Sequence, residues 1–481
     1  MSVNFSDPGG VAGGDGSRLQ RLLEADRRYA MHPFSALAQH ERAGAVAMMV
    51  RGEGVHLWDA AGRRYLDVMA GLWCVNVGYG RSELADAMRE QAVTLPYCHA
   101  FSSMASDQPA LLAERLIRMA PGKMSKVFYG NSGSDANDTQ AKLVWLYNNA
   151  RGKPQKKKII ARERGYHGVT VMSAGMTGLP SLHAGFDLPL PQIRHTTVPH
   201  RLWNGWGLSD AEFAAKLADD LERLIAAEGA DTIGAMILEP VMGAGGVIVP
   251  PPRYYELIEP ILRLHDILLI ADEVICGFGR LGQMFGSDVM GMKPDLITVA
   301  KGLTSAYFPL SGVLVGEQVW QTLCEAGDRY GAFGHGYTYS SHPIGAAVGL
   351  ANLDLLERDD LVAQAGRRGE YLHRRLRDAF ADHPLVGEIR GRGLIAAVEF
   401  VKRRGPPEAF PPALRVGPRI ADAARARGLI TRALPLADTI AFSPPFVISE
   451  DEIDSAVALA RDAVDEVAAA LRRDGVWSGH D

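Results

Sequence analysis

Between about residues 80 and 340 the chain repeats one pattern that leaves few folds open. A short apolar run is followed, again and again, by a longer stretch with helical periodicity. The candidate strands are 126–130, 158–162, 233–239, 267–274, 295–301 and 311–316, and helices fit 83–93, 109–119, 135–150, 210–228 and 253–265. Runs such as IGAMILE at 233–239 are apolar at nearly every position, so both faces must be covered. Buried strands alternating with helices predict an open, mostly parallel central sheet of the α/β class.

A chain of 481 residues exceeds one ordinary core, so more than one lobe is expected. Residues 1–16, rich in Gly, Ser and Asp, read as a flexible tail, and a first helix fits 17–30 with Leu19, Leu22 and Leu23 on one face. Residues 53–71 read as a hairpin turning through Ala60-Ala61-Gly62. Residues 81–342 make the large domain, and 343–481 a smaller α+β domain that the segment 17–80 joins. Within the smaller domain, long helices over 343–380 precede a strand region at 389–401, a helix near 417–427, a strand at 439–442 and a terminal helix from about 450.

Charge and cysteine usage narrow the partners. With 51 basic against 56 acidic side chains, no basic excess favours nucleic acid, and Lys156-Lys157-Lys158 reads as a solvated approach to a strand. Cys74, Cys98, Cys276 and Cys324 lack any C-x-x-C spacing, as expected of reduced thiols in a cytoplasmic protein. The opening MSVNFSDPGG has no secretory pattern, and no apolar run is long enough to cross a bilayer. The pairs His195/His200 and His335/His342 lack cysteine or carboxylate support, so no metal site is expected from them.

One stretch, 268-LLIADEVICGFGRLGQ-283, contains a literal G-x-G-x-x-G at Gly277–Gly282. A dinucleotide loop needs a pyrophosphate at a following helix N-terminus, with no fixed negative charge at the strand end. Here Asp272 and Glu273 precede the turn, and Gly286, Gly291 and Pro294 interrupt any long helix after it. The glycines are better read as a tight turn with unusual backbone angles.

Asp272 and Lys301 instead carry the chemistry. Each ends a predicted buried strand, at the sheet edge where ligands bind in open α/β folds. A structural ion pair is one reading, although burying such a pair is costly. The other is a lysine that forms an imine with pyridoxal phosphate, and an acid that keeps the pyridine nitrogen protonated. Ser132-Gly133-Ser134, at the start of a helix, then supplies hydroxyls and free N–H groups for the phosphate, where the plain alternative is a serine N-cap.

The combination VFYGNSGSDAND from 127, YHG from 166, EPV from 239, ADEVICGFGRLG from 271, AKGL from 300 and YTYSSHP from 337 resembles the class III, pyridoxal-phosphate-dependent aminotransferases of fold type I. The similarity runs over nearly the whole chain after residue 20. GLWCVNVGYGR at 71–81 and GAGGVIVPP at 243–251 look most like the ω-transaminase branch, which pairs amines or β-alanine with pyruvate.

The resemblance implies roles. Lys301 would hold the cofactor and shuttle the proton as base and acid. Asp272 would pair with the ring nitrogen, Tyr166 would stack on one ring face, Val274 would pack on the other, and Glu239 would orient nearby hydrogen bonds. Ser132, Gly133 and Ser134 would cradle the phosphate, and His167 would sit among the cofactor contacts as a hydrogen-bonding residue. Thr338 would reach the phosphate of a neighbouring subunit, which implies a homodimer, or a dimer of dimers. Trp73 and Phe101 would line the substrate pocket. Arg432 would be a mobile arginine that swings in for a keto-acid carboxylate and out for an uncharged amine. Taken singly, Tyr166, Val274, Trp73 and Phe101 could all be core residues, and Arg432 a surface ion pair.

Two residues depart from the family pattern. Asp135 stands where a glutamate is usual, and Ser341 where a glycine is usual. The implied reaction is transfer of an amino group from a primary amine or ω-amino acid to pyruvate. An aminomutase or decarboxylase of the same family, or a non-catalytic metabolite-binding protein, remains open at this point.

Overall fold

The computed structural model describes residues 16–479, so nearly all of the segment read as a flexible tail, 1–15, lies outside the described residues. The central sheet has seven strands in the order Met124–Gly130, Ser311–Gly316, Leu296–Val299, Leu268–Asp272, Ile233–Leu238, Lys158–Arg162 and Ile193–Thr196. Consecutive residues of the inner strands feed opposite cores. Ile160, Met236, Leu269 and Ile297 pack on one side, and Ile159, Ile237, Ile270 and Leu296 on the other. Continuous apolar runs are therefore required, because each face is roofed by helices. The helices Asp210–Glu228 and Tyr254–Leu264 bury Phe213, Leu217, Leu221, Tyr254 and Ile258 on the first side. The helix Gly133–Ala150 buries Ala141, Val144 and Tyr147 on the second.

Five neighbouring strands of the seven, from Leu296–Val299 to Ile193–Thr196, run parallel to one another, but Ser311–Gly316 runs antiparallel to both of its neighbours. An apolar run buried on both faces carries no mark of its direction, so the periodicity could not show this. The edge strand Ile193–Thr196 was not expected at all. It has four residues, with Arg194 and His195 only half-buried, and so lacks the apolar signature of its neighbours.

A second sheet, four-stranded and antiparallel, follows the order Val386–Arg392, Ile395–Phe400, Thr439–Phe442 and Arg432–Leu434. The helices Leu361–Phe380, Val416–Ala426 and Glu450–Arg473 pack on and around it. The expected hairpin forms from His56–Asp59 and Arg64–Asp67. Its second strand pairs in parallel with Leu429–Ile430, so the beginning of the chain closes on its end. Three long helices start with reciprocal capping boxes, Ser132/Asp135, Ser209/Glu212 and Ser449/Glu452.

The glycine loop is a structural junction. Gly279 and Gly282 have φ of +99° and +89°, values that favour glycine. Between them the fully buried Arg280 donates to Leu394 O at 3.1 Å, Pro444 O at 2.6 Å and Asn76 Oδ1 at 2.8 Å. One side chain thus ties three distant segments together. Among the described residues no helix is long and apolar enough to cross a membrane.

Candidate active site

The C-terminal ends of the strands Ile233–Leu238, Leu268–Asp272 and Leu296–Val299 open onto a cavity of about 580 Å³. It brings together Ser132, Gly133, Ser134, Tyr166, His167, Glu239, Asp272, Val274 and Lys301. Residues as far apart in the chain as Ser132 and Lys301 converge because a parallel sheet delivers its strand ends to one edge.

Asp272 is held from three sides. His167 Nδ1 and Asn137 Nδ2 each lie 2.8 Å from its Oδ2, and Val274 N donates to Oδ1 at 3.1 Å. Behind it, Asn137 accepts from Thr298 Oγ1 at 2.8 Å, and Thr298 in turn accepts from Gln140 Nε2 at 3.0 Å. A carboxylate has about four acceptor positions, so this network orients Asp272 and leaves capacity for one more donor. Asn137 was not singled out from the sequence. Its place one turn beyond Gly133, hence on the same helix face, is the signal that could have found it.

The neighbouring Glu273 has the opposite fate. It is fully buried and accepts from Gly286 N, Ser287 N and Ser287 Oγ, capping the short helix Gly286–Met290. Burial pushes its carboxyl up to about 7, against the pull of those hydrogen bonds. Glu239, buried across the cavity, accepts from Tyr166 N at 3.1 Å and Gly243 N at 2.8 Å, and burial raises its carboxyl above the ordinary value.

Lys301 opens the turn after Leu296–Val299 with φ +44°, an uncommon conformation for a residue with a side chain. Burial lowers its ammonium pKa, opposed by Cys74, Asp272 and Glu239, so a larger share of the amine is neutral and nucleophilic. Ser132 caps the helix Gly133–Ala150, and its Oγ accepts from Asp135 N at 3.2 Å. The first helical N–H groups beyond the cap have no intrahelical partner and suit an anion. Gly133 is needed there, because a Cβ would sit 3.0 Å from Val274 Cγ2. The shorter Asp135 fits the position without loss, accepting from Asn131 N, Ser132 N and Ser311 Oγ.

Trp73 is buried beside the cavity, with Lys301 Nζ 5.8 Å and the Arg432 guanidinium 5.3 Å from its ring centre. Among the described residues Arg432 has neither a carboxylate partner nor a side-chain hydrogen bond. Burial lowers its pKa, and Tyr166 opposes the shift. Phe101 and Thr338 do not line the cavity of their own chain. Phe101 is 49% exposed with its ring against Gly336, and the exposed Thr338 accepts through its carbonyl from Tyr97 Oη at 2.7 Å. Ser341 has φ +59°, so the departure from glycine places a side chain on left-handed backbone.

The model of the family described as aminotransferase class-III matches residues 37–464. The chain belongs to the class III aminotransferases. It is 53% identical over 460 residues, 95% of this chain and 98% of the relative, to an uncharacterized aminotransferase of Sinorhizobium fredii. It is 47% identical over 458 residues, 94% and 98% of the two chains, to a diaminobutyrate–2-oxoglutarate transaminase of Halomonas elongata. Among solved structures, the omega transaminase from Pseudomonas jessenii in complex with PMP superposes with a TM-score of 0.91 at 46% identity, covering 95% of this chain and 99% of that one. Class III aminotransferases use pyridoxal 5′-phosphate, and this aminotransferase presents a donor set that fits it. The helix N-terminus suits the phosphate, Lys301 offers an amine, the oriented Asp272 offers an anion, and Tyr166 and Val274 offer apolar walls.

Proposed function

We propose that this aminotransferase moves an amino group from a primary amine or ω-amino acid to pyruvate, in two half-reactions at one site, as a homodimer in the cytoplasm. The observation that carries the reading is Arg432, a half-buried guanidinium that has no carboxylate partner among the described residues and lies beside the indole of Trp73 at the cavity. Its planar fork suits one carboxylate. Among the described residues lining the cavity Lys301 is the only lysine or arginine, and it serves the cofactor, so Arg432 is left to neutralise one carboxylate, and pyruvate has one. The Halomonas relative is named for 2-oxoglutarate, which carries a second carboxylate, whereas the cavity wall includes the apolar Leu72, Phe308 and Leu310.

When bound, the cofactor supplies an electron sink that acidifies the C–H bond beside the donor nitrogen. Lys301 Nζ takes that proton and returns one to the acceptor-derived carbon in the second half-reaction. Asp272, oriented by His167, Asn137 and Val274 N, stabilises positive charge at the ring nitrogen. Glu239 fixes the backbone of Tyr166 and Gly243, and so the position of the ring wall. Ser132, Gly133 and Ser134 anchor the phosphate. Trp73 holds the apolar part of the donor, and Arg432 engages or withdraws according to the substrate's charge.

Phe101 and Thr338 act in the site of a second copy. Tyr97, Phe101 and Tyr339 are 39%, 49% and 59% exposed on the same surface, a cluster of aromatics that supports an interface. The four cysteines are unpaired, as suits a reducing compartment. The test is steady-state turnover of the holoenzyme with a panel of amines and ω-amino acids against pyruvate and 2-oxoglutarate. Alanine release equal to keto-acid consumption, with pyruvate the better acceptor by kcat/KM, is expected. Equal or better use of 2-oxoglutarate would overturn the acceptor, and donor isomerisation without keto-acid consumption would overturn the reaction.

A further inference from the structure

A second cluster of ionisable side chains, none of which lines the cavity at the strand ends, lies in the first forty described residues. The helix Gly16–Tyr29 carries Asp26, the helix Leu37–Ala43 carries His40, and His32 sits in the connection between them. His32 Nε2 lies 2.8 Å from Asp26 Oδ1, His40 Nε2 lies 3.6 Å from Asp26 Oδ2, and the two imidazole centroids are 4.3 Å apart. One ligand atom from each of the three residues falls within 4.8 Å of the other two. Asp26 Oδ2 and His40 Nε2 are buried, yet neither makes a hydrogen bond within the described residues. The two atoms face each other at 3.6 Å, just beyond hydrogen-bond distance and withdrawn from water, an arrangement in which a ligand shared between them would recover free energy.

The molecule contains a second histidine–carboxylate cluster, in which His200 Nε2 and Glu399 Oε2 are likewise buried without a hydrogen bond, but which differs in its charge balance. His200 faces Glu388 and Glu399, but Arg390 lies 2.8 Å and 2.5 Å from those two carboxylates. A cation is already built in there. Asp26 has no lysine or arginine partner among the described residues, and the adjacent Arg27 is turned to Glu24 at 2.7 Å and to Glu41 O at 3.3 Å. The positive charge that completes the cluster must come from the histidines or from an ion.

We propose that Asp26, His32 and His40 bind a divalent transition cation of the zinc class, clasping the helix Gly16–Tyr29 to the helix Leu37–Ala43. Two imidazoles and one carboxylate are a ligand set suited to zinc, with water in the fourth position. Ligand atoms around tetrahedral zinc stand about 3.3 Å apart, from metal–ligand distances of about 2.0–2.1 Å. The two histidine–carboxylate pairs, at 2.8 Å to Oδ1 and 3.6 Å to Oδ2, bracket that spacing, and all three ligand atoms lie within 4.8 Å of one another, so closure requires side-chain rotation that brings them to one centre. Binding forms metal–ligand bonds from lone pairs already present, replaces the His32–Asp26 hydrogen bond, and requires both imidazoles neutral.

The test is titration of the untagged holoenzyme with Co²⁺, read by visible d–d absorption and stoichiometry, followed by displacement with Zn²⁺. One ion per chain with a tetrahedral spectrum is expected, with affinity reduced at least about tenfold in His40→Ala and in Asp26→Asn. Hydrogen exchange in the helix Gly16–Tyr29 of the wild-type chain should slow on adding Zn²⁺, a readout that does not depend on the variants folding. Absence of a stoichiometric site, unchanged affinity in both variants, or unchanged exchange on metal addition would each overturn the proposal.

Discussion

The floor of the cavity and the surface formed by residues 97–104 and 337–342 are built on opposite terms. At the floor both Asp272 and Glu239 are answered from within the chain. Asp272 has His167, Asn137 and Val274 N, and Glu239 has Tyr166 N and Gly243 N. At the rim, Phe101, Thr338 and Tyr339 are exposed, and the hydrogen bond from Tyr97 Oη to the Thr338 carbonyl ties the two loops together. The floor is organised for chemistry by one chain, whereas the rim has the character of a surface that meets another. Substitutions at the floor should therefore act on the chemical steps in any assembly state, and substitutions at the rim should act through a second copy.

The largest effect is expected from Lys301→Ala. Loss of its amine should lower kcat by about 10⁴-fold or more, with cofactor still retained non-covalently. Single-turnover kinetics on the reconstituted variant checks this, and near-normal turnover would break the assignment of the floor.

Glu273 tests whether the floor's burial is as complete as described. Its carboxyl is raised from 4.5 to about 7, so the folded state holds the proton more tightly than the unfolded state does. The associated stability is fully present below pH 4.5 and is lost as pH rises through about 7, up to about 3 kcal/mol in all. The midpoint of unfolding of Glu273→Gln should therefore gain on that of the wild type across this window and run parallel to it above. Parallel curves throughout would mean that Glu273 titrates normally.

Arg432→Ala should spare the half-reaction with an uncharged amine and lower kcat/KM for pyruvate by about 10- to 100-fold, the worth of charge-assisted hydrogen bonds. Equal losses in both half-reactions would assign Arg432 to the floor's structure instead. At the rim, Thr338→Ala should weaken cofactor retention about tenfold, through one hydrogen bond to a charged group. Mixed dimers with wild-type chains sharpen this, because the defect should appear in the site of the unmutated chain. The smallest effect is Ser341→Gly, which relieves a φ of +59° and should stabilise the fold by about 1 kcal/mol. An unchanged midpoint of thermal unfolding would show that the rim tolerates the serine without strain.

The contrast also explains what could be read from sequence. Buried strands such as Ile233–Leu238 are legible because both faces must be apolar, and their ends locate Asp272 and Lys301. The direction of Ser311–Gly316 is not legible, because burial on two faces leaves the same composition either way. Asn137 escapes because an asparagine inside a helix looks like part of a solvated face until Asp272 is placed against it. Asp26, His32 and His40 follow no metal-ligand spacing, and only the turn between two helices brings them together. The rim residues Phe101 and Thr338 were identified by family resemblance, not by local pattern, since their partners are not in their own chain's cavity.

The most direct test of the central claim is a rapid-mixing experiment on the holoenzyme, adding an amine first and pyruvate second while recording the cofactor's absorption. The account predicts that the band of the lysine-bound cofactor is lost on amine addition. It should return only when pyruvate is supplied, with one alanine released per site. Return of the band without pyruvate, or a band that no amine alters, would contradict it.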